Sequence, residues 1–160
     1  MNKVIVFISL IFVLSACSDN LELDNAFDGG TTACGDFAAM KFSDDNSIGI
    51  CIYGDSSALN LTDSAQIFSL DTMSDIMVVV DEFKQDRGWF SCTIWDNNYM
   101  YKTHRWEATS GTVSISASDA TNPAFDYMVN INLTDVTFKH ENKDIEVTLN
   151  SLELSDVNVE

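Results

Sequence analysis

The chain is poor in the features that would point to several kinds of chemistry. It has one proline, Pro123, and no low-complexity tract, which excludes a proline-rich or disordered protein. It has 8 Lys and Arg against 25 Asp and Glu. Binding to phosphate backbones needs clustered cations, so nucleic acid is excluded as a partner. Its four cysteines form no CxxC pair, and its two histidines, His104 and His140, form no HxH or HxxxH pair. Thiol redox catalysis, structural zinc and a histidine metal site are therefore unsupported, and no metal or cofactor is expected. No apolar run reaches the roughly 20 residues that cross a bilayer as a helix.

The longest apolar run, Val4 to Leu14, is broken only by Ser9 and follows Lys3. A short apolar core behind a positive start has the build of a secretory signal. The run ends in Leu14-Ser15-Ala16-Cys17. This closely resembles the lipobox of bacterial lipoproteins, an aliphatic residue and two small residues before a cysteine. The resemblance implies cleavage before Cys17, a diacylglycerol on its thiol and acylation of its new amine. Two or three chains make a durable anchor where one is marginal. Ser18 after the lipidated cysteine is compatible, by the same resemblance, with a place in the outer membrane. Residues 1–16 are thus a lipoprotein signal peptide.

Without Lys3 the mature chain keeps 7 Lys and Arg against 25 acids, a formal charge of −18. Such a surface is repelled by anionic head groups, so the anchor must hold the protein on its membrane. Residues 17–32, which include "SDNLELDNAFDGGTT", are polar and acidic and read as the lipidated cysteine and a flexible tether. Fully extended, its fifteen residues would reach about 50 Å. The part "LDNAFDGG" has the oxygen donors of a calcium loop but not the alternating acids and final Glu of an EF-hand.

Residues 33–160 read as a single all-β domain. Apolar residues alternate in short runs: Ile48, Ile50 and Ile52; Val113, Ile115 and Ala117; Phe125, Tyr127, Val129, Ile131 and Leu133; Ile145, Val147 and Leu149. "DIMVVVDEF" is apolar on both faces, as a strand covered on both sides would be. Thr134-Asp135 interrupts one run as a bulge would. Turn residues recur at the spacing of a sandwich or barrel, and no segment has helical periodicity. The expectation is an antiparallel β-sandwich of about ten short strands, with a small β-barrel as the alternative. Outward rows of Ser, Thr, Asn and Asp argue against a transmembrane barrel.

An exported compartment permits disulfides. Of Cys34, Cys51 and Cys92, one must remain over, and Cys34–Cys92 is the expected pair with Cys51 a free buried thiol. One basic and aromatic cluster stands out: Tyr99, Tyr101, Lys102, His104, Arg105 and Trp106. In a strand it could grip a sugar or an anionic group, or it could be an edge strand whose cations discourage pairing. No GxSxG or comparable motif accompanies either histidine, and catalytic residues are not expected. The reading is a non-enzymatic envelope lipoprotein with a binding or structural role and a protein or glycan partner. A lipocalin-like carrier of a small apolar ligand is the alternative, and a hydrolase comes third.

Overall fold

A computed structural model describes residues 21–35, 37–71, 75–83, 102–120 and 124–159. Eight strands and one helical turn follow in order: β1 (Thr31–Ala33), β2 (Ala38–Phe42), β3 (Ile48–Gly54), α1 (Ser56–Leu59), β4 (Gln66–Ser69), β5 (Ile76–Phe83), β6 (Lys102–Asp119), β7 (Tyr127–His140) and β8 (Glu146–Val159). All pairs are antiparallel, in the order β1-β2-β3-β5-β6-β7-β8, and the sheet curls into a half-barrel. β4 pairs with the second half of β6, opposite residues 112–115, while β5 pairs with its first half. The chain is all-β as the alternation predicts. Among the described residues β6, β7 and β8 run over 18, 14 and 14 residues, longer than the short strands expected. The segment from Lys102 to Trp106 and the alternating run of Val113, Ile115 and Ala117 share β6, and β7 continues past Thr134-Asp135 to His140. "ALNLT" is not a strand; its first residues close the α1 turn, which Asp55 caps by accepting hydrogen bonds from the Ser57 and Ala58 amides.

The concave side is packed solid. Ile50, Ile52, Val78, Val80, Val113, Ile115, Val129, Ile131, Leu133, Val136, Phe138, Leu149 and Leu154 are all buried there. Regular strands put residues an even number apart on one face. Here Leu133 and Val136 are both buried at odd spacing, as are Leu154 and Val157. Each change of face falls on a residue with positive φ, Asp135 (51°) and Asp156 (54°). In β6 the register slips between Ala108 and Thr112, around Gly111 at φ 119°. Bulges of this kind bend a strand and sharpen its twist, which lets long strands wrap a core. The break expected at Thr134-Asp135 is one of them. Gly111 is required twice over: its φ is rare for other residues, and a Cβ there would lie 2.6 Å from Val136 Cα and 2.8 Å from the Asp135 carbonyl oxygen.

A second, smaller cluster lies on the opposite face of β2, β3 and β5: Cys34, Met40, Phe42, Cys51 and Val79, with Ala38 and Tyr53 against it. β5 is therefore covered on both sides, as its sequence implied. Beside this cluster Asp81 accepts a forked pair of hydrogen bonds from Arg105, at 2.8 and 2.7 Å. This pair holds the Arg105 guanidinium well above its ordinary pKa, against the opposing effect of burial.

The domain begins earlier than the sequence suggests. Leu23 and Phe27, placed in a free tether by composition, are 2% and 5% exposed in the main core. Two apolar side chains amid acids escaped a reading based on average polarity. The acids are engaged as well. Asp24 accepts from both the backbone and the side-chain amide of Asn150 in β8, and Asp28 accepts from the Asp44 amide. Both acids of "LDNAFDGG" thus serve as hydrogen-bond acceptors within the fold. A tether can extend only to residue 20, outside the described residues.

Two outcomes follow from this packing. Gly111→Ala should lower the unfolding free energy by about 2–3 kcal/mol. Gly30→Ala, where a Cβ meets nothing within 4 Å, should stay within about 0.5 kcal/mol; urea denaturation measures both. In the β2–β3 turn, hydrogen bonds from the Ser43 and Ser47 side chains and the Ser47 amide lower Asp45 to a pKa of about 2, against 3.8 ordinarily. Ionised Asp45 thus supports the turn above its ordinary pKa, and the support is lost as pH falls toward 2. A carboxyl carbon NMR titration should find that midpoint, and Ser43→Ala should raise it.

Candidate functional site

The structure separates the basic and aromatic cluster into parts with internal partners. Trp106 is buried in the main core, and its indole N–H donates to Glu82 at 2.7 Å. Arg105 lies on the other face and is committed to Asp81. Lys102 pairs with Glu141 at 3.4 Å, and Glu141 also accepts from the Arg105 amide. His104 stacks at a tilt on His140, ring centres 5.1 Å apart. His140 is buried, accepts the Asn142 amide on Nδ1, and meets Trp106 edge to face at 4.8 Å. Among the described residues its Nε2 has no hydrogen-bond partner. Tyr99 and Tyr101 lie outside the described residues. Of the described members, His104 and Trp106 pack with His140 and the two cations are engaged by acids, so they do not form one open grip.

Cys51 is a free thiol, 2% exposed. Burial, reinforced by the charge of Asp81, pushes its pKa well above the ordinary value, which leaves it unreactive. Cys34, buried in the same cluster, is not a free thiol. Cys17 and Cys92 lie outside the described residues.

The open site is elsewhere, at the opposite end of the half-barrel. A cleft of about 740 Å³ is lined by Ser57, Asn60, Leu61, Thr62, Asp63, Ala117, Ser118, Asp119 and Tyr127. Two stretches far apart in sequence make it. One is the loop after α1; the other is the hairpin end where β6 finishes and β7 starts. The β4–β6 pairing brings them together and continues beyond β4, where the Ala117 amide donates to the Thr62 carbonyl at 2.7 Å. The Gln66 side-chain amide ties the loop from within, donating to the Asn60 carbonyl at 2.8 Å, and Thr62 Oγ1 donates to the Ser64 carbonyl at 3.1 Å. The wall is thus formed in advance of any ligand. Tyr127 rests against the main core on one side and lines the cleft on the other. Asp63 and Asp119 stand exposed at the rim.

The sequence held no local signal for this site. Tyr127 reads there as one more inward residue of a strand, and Asn60 and Asp63 as ordinary turn residues. Their convergence depends on a strand pairing across some fifty residues. Among the described residues, no group of three or more His, Cys, Asp or Glu could hold a metal ion. No helix there is long and apolar enough to cross a membrane.

No protein family, curated protein or solved structure matches this chain. The site must be read from its own chemistry.

Arg105→Ala should then act on stability and not on recognition. Removing one partner of a largely buried ion pair leaves Asp81 uncompensated, at a cost of roughly 3 kcal/mol. Arg105→Ala should lower the thermal midpoint, and Arg105→Lys should recover only part of the loss, since a lysine cannot fork onto the carboxylate.

Proposed function

We propose that this chain is a lipid-anchored protein of the bacterial envelope, held in the outer membrane through Cys17, whose β-domain binds a partner without catalysis. The observation that carries the binding reading is the contrast between a filled interior and an open, preformed cleft. A carrier of apolar molecules needs an apolar cavity of a few hundred Å³. Here the concave side is occupied by the protein's own side chains, and six of the nine cleft residues are polar.

The burial of Leu23 and Phe27 adds a constraint on this reading. With Leu21 packed against the core, only four residue steps separate it from Cys17. They span at most about 14 Å. A domain anchored at Cys17 would stand against the head groups and meet its partner there, not search a volume around the anchor. The acidic surface favours a neutral leaflet or one screened by cations. We propose further that Cys34 pairs with Cys92; the absence of a free thiol at Cys34 supports that pairing.

The test is the intact mass of the protein extracted from membranes, before and after reduction and alkylation. The expected result is the mass of residues 17–160 plus acyl groups, with Cys51 alone alkylated after unfolding without reductant and two further sites after reduction. A mass without lipid would refute the anchor. Alkylation of Cys34 or Cys92 without reduction would refute the disulfide.

A further inference from the structure

The cleft carries an inference about its ligand, which rests on the binding reading above. We infer that it holds a neutral saccharide, seated on Tyr127 and hydrogen-bonded by Asp63, Asp119 and Asn60.

The lining removes the other classes of ligand in turn. An anionic ligand would find two carboxylates and no cation on a protein of net charge −17. An apolar ligand would strand Asn60, Asp63, Ser118 and Asp119 against its surface, and buried polar groups without partners cost free energy. What fits is a ligand rich in hydroxyl donors, because carboxylates accept hydrogen bonds and offer none when ionised. Bonds to charged acceptors are also the stronger kind. The apolar lining supplies the second half of saccharide recognition. Leu61, Ala117 and Tyr127 are the half-buried members of the lining, amid exposed polar ones, and an aromatic side chain presents apolar area to the C–H face of a sugar ring while its hydroxyl stays polar. The volume of about 740 Å³ suits a short oligosaccharide.

A cationic ligand is the nearest competitor. Both acids are exposed at the rim, where a charge pair at 4 Å gains about 1 kcal/mol in water and salt screens it further. The charges alone therefore hold a cation weakly, whereas the apolar lining and the acceptors together match a sugar's two kinds of surface.

The experiment is a titration of the isotopically labelled full mature protein, followed through backbone amide NMR shifts. The probes are neutral cello-, malto-, xylo-, manno- and chito-oligosaccharides. Polygalacturonate serves as the anionic control and spermine as the cationic one. The expected result is saturable binding of at least one neutral oligosaccharide, with the largest shifts at Asn60, Asp63, Ser118 and Asp119. Tyr127→Ala should weaken it about tenfold or more, and Tyr127→Phe should keep most of it. Because Tyr127 also touches the core, Asp63→Asn and Asp119→Asn provide variants at exposed positions, each expected to weaken binding several-fold. Four results would overturn the inference: no neutral probe binds; neutral probes bind but ignore the cleft substitutions; polygalacturonate alone binds; or spermine alone binds, in a salt-dependent way that Asp63→Asn abolishes. Failure of the anchor is distinguishable. An unlipidated protein that binds neutral sugars keeps the cleft and loses the membrane, and a lipidated protein that binds none does the reverse.

Discussion

The inward apolar row that crosses β6, β7 and β8 is the constraint to which every other element answers. Three long strands must keep Val113, Ile131, Leu133, Val136, Phe138, Leu149 and Leu154 facing one way while they bend far enough to wrap that row. A flat sheet could keep the alternation but would leave the core open to water. The chain instead rotates at a few residues with left-handed backbone, Gly111, Asp135 and Asp156, and resumes its alternation beyond each one. Asn130 steadies one of these points, its side-chain oxygen accepting the Asp156 amide at 2.9 Å. The bend is thus written into particular residues and not left to general twist.

The bend also decides where a ligand can go. Because β6 is long and curved, one strand cannot cover its free edge from end to end. β5 takes the first half and β4 the second. β4 is short, and the loop preceding it is drawn onto the same edge through Thr62 and Ala117. That loop, resting on the end of the long strand, makes the cleft. At the opposite end, among the described residues, Glu82, His104, Trp106 and His140 pack on one another. Among the described residues, then, one end of the half-barrel is filled by packed rings and the other carries the cleft, which the unequal lengths of β4 and β6 create.

Strand class and facing were legible in the sequence because period-two alternation records burial directly. Ile48, Ile50 and Ile52 declare one face, and the unbroken run of Val78, Val79 and Val80 declares a strand buried on both. The bulge at Thr134-Asp135 was legible for the same reason, as a fault in that alternation. Strand length was not, since a bulge and a turn both interrupt a pattern and only backbone pairing separates them. The start of the domain was hidden by composition. Leu23 and Phe27 are isolated among acids, and nothing in their neighbourhood reveals that Asn150 is waiting for Asp24. The cleft was the least legible part, being made by tertiary pairing between stretches that look like ordinary loops. The basic and aromatic cluster suggested recognition, yet in this fold Lys102, His104, Arg105 and Trp106 meet acids and rings already present.

The contact between Asp24 and Asn150 spans 126 residues, nearly the whole of the folded chain. Contacts of that separation carry a high closure entropy and form late. Under the export proposed above, the first part of the domain to emerge would therefore be among the last to settle, with no seat until β8 arrives. Leu23 and Phe27 would stay uncovered throughout that interval, in the compartment where aggregation or proteolysis is a hazard. A chain truncated before β8 would lose more than its last strand. The beginning of the domain would hang free as well, a built-in check that only the finished chain closes.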